Sequence, residues 1–398
     1  MYFALDDDQR AFGAAVRDFL AKRFDLDAVR AVVDDPDGDG HPAALWSAAA
    51  EQGWLAVLVP EEHDGLGLGL VEAQVIAREI GAGVAPGPWA PTVLAGEAVR
   101  LAGSDEQRGR LLPRLAAGDL VATLAVRGTG GRYTADDVPV RLDGGRLTGR
   151  AVPVEYAGAA EVLVVAARDG DEVGLHLVEP SAGVTVTPLA AYDGTTRTAS
   201  VELDGAVGEP LPGASGDVVA ELLDRAAVLT AADLAGLARE ALTRTVAYDR
   251  EREQFGRPVG SFQAIKHALA DLHVGVTMAE HAVLYAAHAV DTAEAGAALA
   301  VSVAKSKAGE AALQATAAMI QYHGGIGYTW EHEAHLFYKR AKRQAAAYGD
   351  VGAHRERLAR LTIDTVPAGV DTDAAGVAGG VDAAAATAGT GVGAGATA

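Results

Sequence analysis

The feature that most limits how this chain can fold is a change, and a change back, in the spacing of its apolar residues. Between Asp6 and Gly118, Phe12, Val16, Phe19 and Leu20 recur every three to four residues, and Leu45 to Leu55 and Leu70 to Ile80 repeat the stripe. Such spacing places apolar side chains on one face of an α-helix. From Leu120 to Pro212 the period falls to two. The run Val162 to Ala167, the alternation Thr198 to Leu203 and the turn Asp143-Gly144-Gly145 between Val138 to Leu142 and Arg146 to Thr148 predict strands. Helical spacing resumes over several long segments from Val218 to Thr362, which suits an antiparallel bundle. The predicted fold class is α+β: an all-α domain at 1–118, a small antiparallel β domain at 119–212 and a four-helix bundle at 213–365. Residues 366–398 are nearly all Ala, Gly, Val and Thr, without aromatic residues, Lys or Arg. Such a segment buries too little surface to offset its ordering entropy, so a disordered tail is expected there.

Charge and cysteine content narrow the function classes. A formal net charge of -21 over 398 residues repels phosphodiester backbones and anionic lipid, so neither nucleic acid nor a membrane surface is an expected partner. With Cys at 0, disulfides, thiolate metal sites and cysteine nucleophiles are excluded. The acidic, polar start MYFALDDDQRAF does not read as a secretory signal, and the apolar runs break well before the ~20 residues of a membrane span. A cytoplasmic location is expected.

Three motifs invite chemistry that their details do not support. Gly65-Leu66-Gly67-Leu68-Gly69-Leu70 precedes a helix, but its spacing is GxGxG, the insert Pro60 to Asp64 separates it from the preceding apolar run, and no βαβ pattern surrounds it, so it does not read as a dinucleotide fingerprint. His332 and His335, three apart on an expected helix, share one face with His323 nearby, yet no third ligand matches and no metal is expected. The cations Lys339, Arg340, Lys342 and Arg343 read as a solvated or subunit-facing helix surface, with a place beside a nucleotide or CoA phosphate as the alternative.

Two helix breaks carry more. Around Gln254-Phe255-Gly256-Arg257-Pro258, Gly and Pro end one helix and start the next. Arg252 and Gln263 flank the break, which offers a guanidinium, backbone N–H groups and a carboxamide to one anionic ligand such as a pyrophosphate. The pair Gly324-Gly325 forms a second break, where the backbone can approach a ligand closely.

Tyr248 to Gln263 and Gln321 to His332, with Gln52-Gly53-Trp54 and Glu79-Ile80-Gly81 upstream, resemble the acyl-CoA dehydrogenase family from Asp6 to about Leu361. That resemblance implies FAD as cofactor, an acyl-CoA substrate, an electron-transfer acceptor and an oligomer. It also implies that Arg252, Phe255, Gln263, Gln321, Gly324 and Gly325 contact the adenosine and pyrophosphate of a flavin held mostly by a neighbouring subunit.

The departures lie where the family holds the flavin ring and its base. Ala125-Val126-Arg127-Gly128-Thr129-Gly130-Gly131 stands where a TEPxxGSD-like loop is usual, and Ala151 to Val154 stands near the family's Trp strand. Tyr348 occupies one customary position of the catalytic Glu, and Ala226, followed by Ala227, occupies the other. Neither side chain serves as a carboxylate base near neutral pH. Asp350 and Asp224 are the nearest carboxylates in sequence. The expectation is a subunit that completes the flavin site of a homologous partner. A homo-oligomeric dehydrogenase with an atypical base, a flavin-dependent hydroxylase on the same fold and a structural subunit stay open.

Overall fold

The computed structural model describes residues 4–128 and 130–363. The tail at 366–398 and Thr129 lie outside the described residues. The chain up to Leu358 packs as one compact unit, and beyond it the structure describes only the end of the last helix.

Six helices come first: α1 (Asp7–Arg23), α2 (Leu26–Val33), α3 (Ala43–Glu51), α4 (Leu70–Ala82), α5 (Trp89–Ala102) and α6 (Asp105–Ala116). Asp6, Asp25 and Ser104 begin α1, α2 and α6, each side chain accepting a backbone N–H three residues on, which contributes about 1 kcal/mol per cap. The glycines ahead of α4 turn a loop after a short helical turn at Glu61–His63. Gly67 is left-handed at φ +60°, as expected of a connector rather than a phosphate cradle.

The middle of the chain forms one sheet from β1 (Ala122–Ala125), β2 (Val140–Asp143), β3 (Arg146–Glu155), β4 (Val162–Asp169), β5 (Glu172–Val178), β6 (Val184–Leu189), β7 (Thr198–Ala206) and β8 (Glu209–Pro210), in the order β6-β7-β3-β2-β4-β5-β8, with β1 beside β4. It is mixed rather than wholly antiparallel: β1 and β2 both run parallel to β4, while its other pairings are antiparallel. Alternation of side chains reports which residues share a face but not strand direction, so the sequence could not reveal these crossovers. The unbroken apolar run of β4 arises because both faces are covered. Val162, Val164 and Ala166 join the core shared with the helices, and Leu163, Val165 and Ala167 join a second core within the sheet. Asp143 pairs with Arg146 across Gly144 and Gly145, whose φ values of +55° and +77° fit a two-residue hairpin.

The remaining helices are α7 (Gly216–Glu251), α8 (Gln263–Asp291), α9 (Ala297–Tyr322), α10 (Ala334–Ala346) and α11 (Val351–Thr362), with a two-stranded hairpin, β9 (Glu253–Gln254) and β10 (Arg257–Pro258), between α7 and α8. None of the described helices is long and apolar enough to cross a membrane.

Two glycines set how the amino-terminal helices meet the bundle. A Cβ added to Gly81 on α4 would lie 2.0 Å from the Asp233 carbonyl oxygen, and one added to Gly236 on α7 would lie 1.8 Å from that of Arg78. The two backbones touch, and neither position tolerates a methyl group. Beside this contact the buried Glu79 carboxylate pairs with Arg17 of α1 at 2.9 Å, Arg78 of α4 at 3.1 Å and Arg239 of α7 at 3.2 Å. Arg239 continues to Glu280 of α8 at 3.1 Å. Gly236→Ala is therefore expected to lower stability by about 2–3 kcal/mol and the melting midpoint by more than about 4 °C. Gly275→Ala, at a helical glycine with no neighbouring atom within 4 Å, is expected to be neutral or slightly stabilising. Equal midpoints for the two variants in a thermal melt would rule out this account of the α4–α7 contact.

Candidate functional site

The first part of the site is the corner where α7 ends. Arg252 closes the helix, and its carbonyl accepts from the Val259 amide at 2.7 Å, which ties off the β9–β10 hairpin. Phe255 and Gly256 form the hairpin tip at φ +55° and +74°, the left-handed pair that a tight two-residue turn requires. Phe255 is 92% exposed, an unusual setting for an aromatic ring. Arg257 stacks its guanidinium over Phe262, 4.0 Å from the ring centroid. Phe262 begins α8 without a side-chain cap, so the positive end of that helix, at Gln263, is available to an anion.

The second helix break lies alongside. The Tyr248 ring of α7 stacks on His323 at 4.4 Å between centroids, and His323 meets His332 at 4.4 Å. Gln321, Gly324 and Gly325 are exposed, and a Cβ at either glycine would meet no atom within 4 Å. Gly324 is left-handed at φ +64°. Ile326, Tyr328 and Trp330 extend this face as exposed apolar groups. The corner therefore offers an anionic ligand the Arg252 charge, the dipole of α8, the carboxamides of Gln263 and Gln321 and the open backbone of the paired glycines.

The histidines have other duties. The His323 ring nitrogen Nδ1 lies 2.7 Å from the Met319 carbonyl, and His332 Nδ1 accepts from the Ala334 amide at 3.1 Å. His332 is not on the helix that carries His335, because α10 starts at Ala334. Arg30 of α2 donates to the Trp330 and Glu331 carbonyls at 2.9 and 2.8 Å and holds that segment as a turn. Among the described residues no group of three or more His, Asp or Glu side chains is placed to hold a metal ion.

The cations of α10 correct an expectation more sharply. Arg340 and Arg343 do not form a solvated surface with Lys339 and Lys342; both turn into the molecule. Arg340 donates to Asp233 Oδ1 at 3.2 Å and forms a short second contact with Oδ2, and its Nη1 reaches the Ala85 carbonyl and Thr195 Oγ1, both at 3.1 Å. Arg343 donates to Asp193 Oδ2 at 2.8 Å and to Glu155 Oε1 at 2.6 Å. Burial alone would raise the Asp193 carboxyl, but Arg343 and Arg340 outweigh it and hold the group below the usual carboxylate range. A sequence signal for this existed. Leu336, Phe337, Arg340 and Ala341 follow the spacing of a single buried stripe.

This network sits where the chain's own flavin ring and base are expected. One cleft is lined by Leu124, Val126 and Arg127 from the glycine-loop region, Pro153 and Glu155 from the strand near the family's Trp, and Tyr348 from the base position. The structure thus gathers the three segments that depart from the family pattern. The cleft measures about 170 Å³, below the roughly 300 Å³ at which small-molecule sites begin. On the other side of Arg343, between Trp89, Tyr156, Asp233 and Tyr348, about 40 Å³ is free, room for a few water molecules. Glu155, Arg343 and Tyr348 line both spaces.

Tyr348 is fixed in place. Its φ is +52°, its ring packs on Tyr133 at 5.0 Å, and burial drives its hydroxyl well above the usual tyrosine range. Lys305 Nζ donates to the Gln344, Ala345 and Gly349 carbonyls at 3.3, 3.1 and 2.9 Å, and His354 Nε2 lies 2.9 Å from the Tyr348 carbonyl. Burial pushes His354 down to about 4, so it is neutral at pH 7 and donates there. The candidate bases are engaged elsewhere. Asp350 accepts the Ala353 amide at 2.8 Å at the start of α11, and Asp224 is ion-paired with Arg357, Nη2 to Oδ2 at 2.8 Å. Ala226 and Ala227 are fully buried packing residues.

Comparison with known proteins agrees with this geometry. The acyl-CoA dehydrogenase N-terminal domain model matches residues 6–119, and the acyl-CoA dehydrogenase C-terminal domain model matches residues 215–362. The acyl-CoA dehydrogenase IpdE2 of Mycobacterium tuberculosis is 32% identical over 356 residues, 89% of this chain and 96% of that protein. Among solved structures, a chain of the ChsE4–ChsE5 complex from Mycobacterium tuberculosis superposes with a TM-score of 0.84 at 28% identity, covering 92% of this chain and 100% of that one. A chain of the Tcur3481–Tcur3483 steroid ACAD gives 0.81 at 29% identity, covering 89% and 97%. The chain belongs to the acyl-CoA dehydrogenase family, flavoprotein oxidoreductases that act on CH–CH bonds.

Proposed function

We propose that this chain is one subunit of a heteromeric acyl-CoA dehydrogenase, that it completes the flavin site of a homologous partner, and that the assembly oxidises the CoA thioester of a steroid-type acyl group. The observation that supports the reading is the Arg343–Glu155–Asp193 network, which stands where the resemblance puts the ring and base and supplies no free carboxylate there, while the corner at Arg252 stays exposed. Two solved relatives are named as pairs of different chains, ChsE4–ChsE5 and Tcur3481–Tcur3483, and the second pair is named a steroid ACAD.

FAD, if held there, would supply the acceptor for hydride from the substrate β carbon, with a carboxylate as base for the α proton. The residues of this chain act at the other end of the cofactor. Arg252 and the start of α8 would neutralise the pyrophosphate, Gln263 and Gln321 would orient it, and the exposed Phe255 would shield it from water. The proton acceptor belongs to the partner in this scheme, since Tyr348, Ala226 and Ala227 supply no carboxylate and both nearby aspartates are committed to helix ends and ion pairing.

Purified alone, the chain is expected to be colourless. Co-expressed with the homologous partner, it is expected to give a yellow oligomer that acyl-CoA bleaches. Arg252→Ala and Gln263→Ala each remove a polar or charge-assisted contact of about 1–3 kcal/mol, so bound FAD per assembly is expected to fall on dilution; an unchanged ratio in both variants removes these residues from the cofactor site. Asp350→Asn and Asp224→Asn are expected to leave dehydrogenation nearly unchanged, whereas loss of a general base lowers rates about 100- to 10,000-fold. A loss of that size, with flavin content and oligomer size intact, would transfer the base to this chain and favour the homo-oligomeric dehydrogenase.

A further inference from the structure

Helix α8 is patterned on two opposite faces, and only one of them is covered. Leu269 and Leu272 pack against the main core, and Val276, Ala279, Val283 and Ala286 belong to it. On the other side His267, Asp271, Val274, Met278, His281 and Tyr285 keep the same alternation of three- and four-residue steps. Val274, Met278 and Tyr285 are 57%, 55% and 45% exposed, and His267, Asp271 and His281 are exposed with them. A shallow groove between His273, Val274, Thr277, Met278 and His281 marks the middle of this outer stripe. A helix that serves its own bundle alone needs one stripe. A second one, kept in step over about five turns, is the pattern of a seam with another helix.

Charge decides which helix fits. Copies of a chain with a formal charge of -21 repel one another over most of their surface. The outer face of α8 is an exception. Of the acidic residues of this helix, Glu280 is bound to Arg239 at 3.1 Å and Asp291 accepts the Val71 amide at 3.2 Å. Asp271 remains, and among the described residues neither its side chain nor that of His281 makes a hydrogen bond or ion pair. Asp271 and His281 lie equally far from residue 276, on either side of it, as do Val274 and Met278, and His267 and Tyr285. Two α8 helices laid antiparallel about a two-fold axis at that residue therefore set Asp271 of each copy against His281 of the other, with Val274 against Met278 between them. A two-fold contact makes each pairing twice. A parallel arrangement would instead put Asp271 against Asp271 and His281 against His281.

We propose that the outer face of α8 docks a second copy of this chain, antiparallel across a two-fold axis at residue 276, through a Val274–Met278 apolar centre flanked by hydrogen bonds from His281 to Asp271. With a homologous partner at each Arg252 corner, the assembly then holds two chains of each kind. The contact goes beyond the functional reading above and does not depend on it, since it uses none of the residues assigned to the flavin.

The test is the mass of the co-expressed oligomer by light scattering, with bound FAD per chain measured alongside. Wild type is expected to contain two copies of this chain. Met278→Asp, which brings charge into the apolar centre, is expected to halve the mass. Asp271→His and His281→Asp each set like groups opposite one another and are each expected to halve it too, whereas the double variant, which only exchanges the two sides, is expected to restore it. All these side chains are exposed, and circular dichroism matching wild type shows that each variant is folded. A wild-type oligomer with one copy, an unchanged mass for Met278→Asp or a double variant that does not recover overturns the proposal. So does loss of the partner in place of the second copy, which assigns the face to the partner. If no partner binds, the same masses are read on the chain alone. Flavin decides the functional reading separately: a halved assembly that keeps its FAD leaves that reading standing, and a full-mass assembly without FAD removes it while this contact stands.

Discussion

Two guanidinium groups buried on one helix hold the three parts of this molecule in register. Arg340 and Arg343 of α10 reach Asp233 on α7, Asp193 in the segment before β7 and Glu155 at the end of β3. Arg340 also donates to Ala85 and Thr195. Arg340, Asp233 and Asp193 have been taken out of water and Arg343 and Glu155 largely so, which is tolerable only because their partners are close and their donors are used. Removing one side would strand the other, a loss of about 3–5 kcal/mol for a buried pair. The network therefore fixes how the bundle, the sheet and the amino-terminal helices meet.

Close packing farther along α7 works by the opposite means. Where Gly81 meets Gly236 there is no side chain at all, and the helices touch through their backbones, flanked by Glu79 with its three arginines. One long helix thus has a polar clasp at Asp233, a side-chain-free contact one turn later, and the Arg252 corner at its end. Because α7 is continuous from Gly216 to Glu251, these three features share one rigid rod, and the corner inherits its orientation from the clasp.

Periodicity made the order of helices and strands legible, and the helix breaks at Phe255-Gly256 and Gly324-Gly325 made the corner legible, because Gly, Pro and charge at fixed offsets have few other uses. Strand direction was not legible, since β1 and β2 gain their parallel partner β4 only through crossovers that leave no mark on alternation. Nor were the inward arginines of α10. Arg340 lies on the apolar stripe by spacing, yet a guanidinium there reads as surface until its partners, more than a hundred residues away at Asp233 and still farther at Thr195, are brought to it.

Exposure of Phe255, Ile326, Tyr328 and Trp330 bears on how an orphan copy survives in water. Clustered aromatic groups at a hairpin tip and a neighbouring turn are the kind of surface through which unpaired chains stick to one another. The formal charge of -21 works against this, because like-charged copies repel before their apolar faces meet. High salt shortens that repulsion, so ionic strength sets how long a copy persists as a monomer before it precipitates or finds its complement.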